Sequence, residues 1–144
     1  MSLDGAYDHD NVFARILRRE LPAARICEDD ATLAFMDAFP QSMGHCLVIP
    51  KHSQARNLLE AEPEAVSSVM ASVQKVARAV RRALQPDGLM ISQFNGAAAG
   101  QTVFHLHVHI IPRWRQAPLG RHANGAMADP DELATLAASI AACL

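Results

Sequence analysis

Between Phe104 and Ile110 apolar residues and histidines alternate without interruption: Phe104-His105-Leu106-His107-Val108-His109-Ile110. Successive side chains of a β-strand point to opposite faces, so this period predicts a half-buried strand. Phe104, Leu106, Val108 and Ile110 would face the core, and His105, His107 and His109 would share the other face. At a rise of about 3.3 Å per residue the three imidazoles start roughly 6.6 Å apart in one row. Pro112 has no N–H to give to a ladder and is expected to end the strand.

Three consecutive outward histidines admit three readings. Polar alternation is the ordinary pattern of a wet sheet face. His-x-His on a strand is also a partial zinc site, although three ligands in a straight row converge poorly and a closed site needs a fourth from elsewhere. The third reading is phosphate chemistry, in which a neutral imidazole attacks phosphorus and later leaves it, while neighbouring rings stabilise charge on the phosphoryl oxygens.

The rest of the chain bounds these readings. Its 144 residues suit one domain, 1–144, with a core of its own, and half of them are hydrophobic. A net charge of -2 argues against a nucleic-acid partner, which calls for a basic face, but leaves room for a small phosphorylated ligand. Cys27, Cys46 and Cys143 are odd in number and widely spaced, so neither a disulfide framework nor a zinc knuckle is indicated. No apolar run approaches membrane-spanning length and the N-terminus lacks a signal pattern, so no membrane association and a cytoplasmic location are expected.

In chain order, residues 1–9 are expected to be flexible. Asp10 or Asn11 then caps a short helix carrying Phe13, Ile16 and Leu17, which Pro22 stops. Arg25–Glu28 and Thr32–Met36 read as a hairpin around Asp29-Asp30. The run Cys46–Ile49 reads as a central strand. From Glu62 to Leu84 extends the longest helix, with Val66, Val69, Met70, Val73, Ala77, Val80 and Leu84 as its stripe. A strand at Leu89–Phe94 and the small-residue loop Asn95–Gly100 lead into the histidine strand. Residues 116–128 have no period and are expected to form an irregular loop. A last helix over 129–144 is capped by Asp129 with Pro130 at its first position, and Leu133, Leu136, Ala137, Ile140 and Leu144 would bury it. Five strands around one long helix, flanked by N- and C-terminal helices, indicate α+β with an antiparallel sheet.

His105-Leu106-His107-Val108-His109-Ile110-Ile111 resembles the His-x-His-x-His-x-x signature of the histidine-triad (HIT) family of nucleotide hydrolases and transferases, in its bacterial HIT/Hint-like branch. The likeness continues through Gly100–Phe104, Val12–Pro22, Glu28–Asp30, Ala34–Asp37 and Gly44–His52, in family order. The resemblance implies a HIT-like fold with a five-stranded antiparallel sheet, a homodimer, and cleavage at the α-phosphate of a nucleotide conjugate, a phosphoramidate or dinucleoside polyphosphate, through a nucleotidyl-histidine. A purine nucleotide is the implied partner. A nucleotide-binding regulatory module without turnover is the alternative.

Site roles follow from the same resemblance. His107 matches the nucleophile, flanked by His105 and His109, and His45 matches an upstream site histidine. Asp37 matches the carboxylate that accepts from ribose hydroxyls. Val12, Phe13, Ile16 and Phe35 match the base pocket, although each serves equally well as plain core. Asn95, Gln101 and Thr102 match polar positions that supply donors to phosphoryl oxygens, or else brace their own loop. Some bacterial relatives complete a zinc site with Cys-x-x-Cys in the first helix. Here Asn11 and Ala14 stand in those places, and His52 and His105 are half a site, so no metal and no other cofactor is expected.

Overall fold

The computed structural model describes residues 3–122 and 125–144. Residues 1, 2, 123 and 124, which belong to the expected flexible N-terminus and the expected irregular loop, lie outside the described residues. The elements in order are α1 (Val12–Leu17), β1 (Arg25–Glu28), β2 (Thr32–Met36), β3 (Cys46–Pro50), α2 (Pro63–Leu84), β4 (Gly88–Ser92), a 3₁₀ turn (Ala97–Ala99), β5 (Val108–Arg113) and α3 (Pro130–Ala141). The strands form one sheet in the order β1-β2-β3-β5-β4, every pair antiparallel. This is the expected α+β architecture.

Both faces of the sheet are covered, which is why β2 and β3 are buried at every position. On one face Ala34, Met36, Cys46, Val48, Val108 and Ile110 pack against Val69, Val73, Val76 and Val80 of α2 and Leu133, Ala137 and Ile140 of α3. On the other, Leu33, Phe35, Leu47 and Ile49 pack against Phe13 and Ile16 of α1. The cross-strand register Phe35↔Leu47↔His109↔Ser92 places His109 on this second face. α1 is a lid on the histidine side of the sheet, held by Asn11, whose Oδ1 accepts from the Ala14 N–H at 2.9 Å.

Several local expectations are corrected. α1 ends at Leu17, well before Pro22, because Arg19 turns left-handed at φ 62°. The buried stripe of α2 includes Val76 and Ala79, whereas Met70 is exposed, because the helix turns the line Val69, Val73, Val76 and Val80 onto the sheet core. Leu144 is exposed, since α3 stops at Ala141. Its C-terminal end is held instead by the Arg82 guanidinium, which donates to the Cys143 carbonyl. Pro112 does not end β5, which runs on to Arg113: β3 accompanies it only as far as Ile110, so Pro112 pairs with β4 alone and its missing donor is tolerated. Cys27, Cys46 and Cys143 are all unpaired thiols.

Gly44 sets up the entry of His45 into the site. Its φ is +85°, and a Cβ there would run into Leu84 and lie 3.2 Å from Pro112 Cγ. Gly44→Ala is expected to destabilise by at least about 1–2 kcal/mol from the backbone alone. Gly88→Ala, with nothing within 4 Å, should stay within about 0.5 kcal/mol. Urea denaturation of the two variants measures the contrast.

Candidate active site

The histidine segment is regular strand only from Val108 onward. β3 reaches β5 no further than the pair Val48↔Val108, so the backbone upstream has no ladder partner, and the Leu106 N–H donates to the Ala55 carbonyl instead. Val108 and Ile110 enter the core as expected, whereas Phe104 is only half-buried, with the Arg56 guanidinium over its ring, and the imidazole face is not half-open. His105, His107 and His109 are 1%, 6% and 3% exposed, and His45 is 1% exposed. Phe13 meets His107 edge-on with centroids 4.9 Å apart, and Phe94 lies 5.4 Å from His109.

Because these rings are buried, their hydrogen-bond partners fix which nitrogen carries the proton. A carbonyl only accepts. His107 Nδ1, 2.6 Å from the His105 carbonyl, therefore bears the hydrogen and leaves Nε2 as a lone pair. His105 Nε2 donates to the Pro50 carbonyl at 3.0 Å, so its Nδ1 accepts from the Tyr7 hydroxyl at 2.7 Å. The backbone N–H of Gln41 donates to His45 Nδ1 at 3.0 Å, which puts the proton of His45 on Nε2. That N–H faces His109 Nδ1 at 2.9 Å and Asp37 Oδ2 at 3.4 Å. His109 Nδ1 consequently accepts, and its proton lies on Nε2, a buried donor without a protein partner.

Burial dominates the electrostatics. Desolvation pushes His45, His105 and His107 down to about 4, and His109, which also has neighbouring imidazoles beside it, to about 2. All four rings are neutral at pH 7. Desolvation raises Asp37 to about 6 against the opposing hydrogen bond from the Phe39 N–H at 2.8 Å, so its carboxylate is mostly ionised at neutral pH. The arrangement presents a neutral nucleophilic nitrogen on His107 beside an N–H donor on His109.

Asp37, His45 and His109 bring one ligand atom each within 4.8 Å of one another, the sole such group among the described residues. The donor chemistry does not fit a metal. A metal on His45 Nε2 would displace its proton while Nδ1 still faces the Gln41 N–H, leaving the ring an imidazolate with two accepting nitrogens; a ligating histidine ordinarily donates through its second nitrogen. The other zinc position fits no better. Asn11 is occupied as a helix cap, Ala14 has no ligand atom, His52 Nε2 lies on the Asp30 carbonyl, and both nitrogens of His105 are engaged.

The remaining sequence candidates divide. Phe13 and Phe35 meet edge-on at 5.5 Å and, with Ile16, wall the apolar side; Val12 is 47% exposed, outside that cluster. Gln101 is buried and engaged at both ends, accepting from the Gly96 N–H and donating to the carbonyls of Arg56 and Val103. Asn95 Oδ1 accepts from the Leu58 N–H and Gln93 Nε2. These two side chains brace the loop, and Thr102 is exposed beside them. Sequence reading missed Tyr7 and His122. The first falls in a stretch read as flexible, yet Leu3 is held through its carbonyl by Arg56 and Asn57, and Tyr7 by His105. His122 lies in the aperiodic loop, where no spacing signal exists.

Comparison with known proteins assigns the class. The HIT domain family model matches residues 18–116, and the chain belongs to the HIT family. It is 38% identical over 135 residues to Protein hit of Bacillus subtilis, covering 90% of this chain and 91% of that one. It is 39% identical over 121 residues to the adenylylsulfatase HINT3 of Arabidopsis thaliana, covering 80% of this chain and 61% of the relative. Among solved structures, the Hit-like protein of Bartonella henselae, involved in cell-cycle regulation and crystallised with an unknown ligand, superposes with a TM-score of 0.91 at 46% identity, covering 97% of this chain and all of that one.

Proposed function

We propose that this chain is a nucleotide hydrolase or transferase that cleaves at the α-phosphate of a nucleotide conjugate through a nucleotidyl-His107 intermediate. The observation that carries the reading is the 2.6 Å contact from His107 Nδ1 to the His105 carbonyl, which leaves Nε2 with a neutral lone pair. In the first step Nε2 forms a P–N bond to the α-phosphorus, and the bond to the leaving atom breaks with its electron pair. His109 Nε2–H stabilises the charge that collects there. In the second step water forms a new P–O bond, the P–N bond returns its pair to Nε2, and the water proton is released. The His105 carbonyl holds the Nδ1 proton throughout and supports the cationic ring of the intermediate.

Asp37 receives the ribose hydroxyls in this reading, and Phe13 and Phe35 the base. The name of the HINT3 relative supports an adenylyl conjugate with an acidic leaving group as one substrate type, beside phosphoramidates and dinucleoside polyphosphates. The homodimer remains part of the proposal. Its support is the unpaired outer edge of β4 with Ile91 exposed, since the apolar stripe of α2 is already covered within the chain. No helix among the described residues is long and apolar enough to cross a membrane.

The test is to quench turnover of a radiolabelled adenylyl donor and map the adduct. An acid-labile, hydroxylamine-resistant label on His107 is expected, as for a P–N bond. Binding without turnover would support the regulatory module instead.

A further inference from the structure

The segment around Gly120 is clasped onto the site. The Gly120 N–H donates to the Gln41 carbonyl at 2.7 Å, Gln41 Nε2 donates back to the Gly120 carbonyl at 3.0 Å, and the Ala128 N–H donates to the Ala38 carbonyl at 2.9 Å. Gln41 is also the residue whose backbone N–H sets the His45 ring. The clasp puts His122 at the end of the imidazole row, its ring edge-on to His109 at 5.4 Å and to Phe94 at 5.0 Å. His122 Nε2 donates to the Gly100 carbonyl at 2.8 Å, which fixes the ring and leaves Nδ1 as its free atom. Unlike the triad rings, His122 is only half-buried.

The direction of the reaction gives this position a meaning. In-line attack by His107 sends the leaving group away from Nε2. Phe13 lies 4.9 Å from the His107 ring, His109 lies 5.0 Å from it, and His122 packs on His109 at 5.4 Å. His109 Nε2–H, which in the proposed reaction takes the leaving group's charge, belongs to the ring that His122 packs against, so His122 is a neighbour of the departing group. With a proton on each nitrogen, the ring would keep Nε2–H on the Gly100 carbonyl and offer Nδ1–H to an oxyanion.

Resting on the function proposed above, we propose that His122 is a specificity residue that contacts the leaving group through Nδ1 and favours conjugates whose leaving group is a tetrahedral oxyanion, sulfate or phosphate, over amines. His122 gives a hydrogen bond and transfers no proton. The same P–N bond forms and the same bond to the leaving atom breaks with either substrate class.

The experiment compares adenosine 5′-phosphosulfate with adenosine 5′-phosphoramidate in wild type, His122→Ala and His122→Gln. The glutamine keeps a donor for the Gly100 carbonyl but has no counterpart of Nδ1. Both variants should lose at least about tenfold in kcat/KM on the phosphosulfate, as for a hydrogen bond to a charged group, and change less than about threefold on the phosphoramidate. The ratio between substrates is read on one protein sample, so partial misfolding does not imitate it. Equal losses on both substrates, no loss on either, or rescue by glutamine would overturn the proposal. A wild type inert on both substrates would defeat the underlying function reading, a result distinguishable from the others.

Discussion

His107→Ala is expected to lose at least about 10³-fold in turnover, the scale of removing a covalent nucleophile, while nucleoside monophosphate binding stays within about tenfold. The separation follows from what the ring touches. Its Nδ1 is engaged with its own backbone neighbourhood at the His105 carbonyl, and its Nε2 is the attacking atom in the proposed mechanism, so the ring is bonded to neither Asp37 nor Phe35 and meets the pocket only through its edge-on contact with Phe13. His107→Asn sharpens the result, because the amide keeps a donor near the Nδ1 position and lacks anything at Nε2. It should be as inactive as the alanine variant and closer to wild type in stability. His105→Ala and His109→Ala should slow the reaction less, since they remove ring positioning and charge stabilisation rather than the attacking atom. Steady-state kinetics and monophosphate titration check this series. A fully active His107→Ala would refute the mechanism.

The second large effect is acid sensitivity of the fold. His45, His105 and His107 titrate near 4 in the native state and His109 near 2, against an unfolded value of about 6.5. The unfolded chain therefore binds more protons between these limits, and stability present above pH 6.5 is lost as pH falls toward 4. Asp37 opposes the trend: its native value near 6 lies above its unfolded value, so stability associated with it is present at low pH and lost as pH rises from about 4 to 6. Four imidazoles against one carboxyl leave a net uptake of about three protons near pH 5, a slope on the order of 4 kcal/mol per pH unit. Marginal stabilities of about 5–15 kcal/mol do not survive long at that slope. Urea midpoints between pH 8 and 5 should drop steeply below 6.5, and His109→Asn should reduce the uptake by about one proton. A flat profile from pH 7 to 5 would show that the rings are charged in the fold.

Much of the architecture is legible in local patterns because the physics that forms it is local. The hairpin of β1 and β2, the apolar run of β3 and the Asp129-Pro130 start of α3 follow from turn chemistry, period and capping, each decided within a few residues. The pattern was misleading where a distant element set the outcome. Pro112 stays within β5 because β3, more than sixty positions earlier, stops short of it. At the opposite end of that pairing β3 and β5 part after Val48↔Val108, so the regular strand begins only at Val108, although alternation begins at Phe104.

For the site, period and residue type showed which residues share a face and that they are imidazoles able to attack phosphorus, since both are properties of the segment alone; the choice of His107 among them came from the resemblance to the HIT family. Tertiary structure decided the state of each ring. The partners that assign the protons, Pro50 and Tyr7 to His105 and Gln41 and His109 to His45, come from other parts of the chain. Burial, which lowers every one of these pKa values, depends on α1 and the N-terminal segment closing over the sheet. The same holds for His122: it joins the row only through the clasp between Gln41 and Gly120, a contact spanning 79 positions that no local pattern encodes.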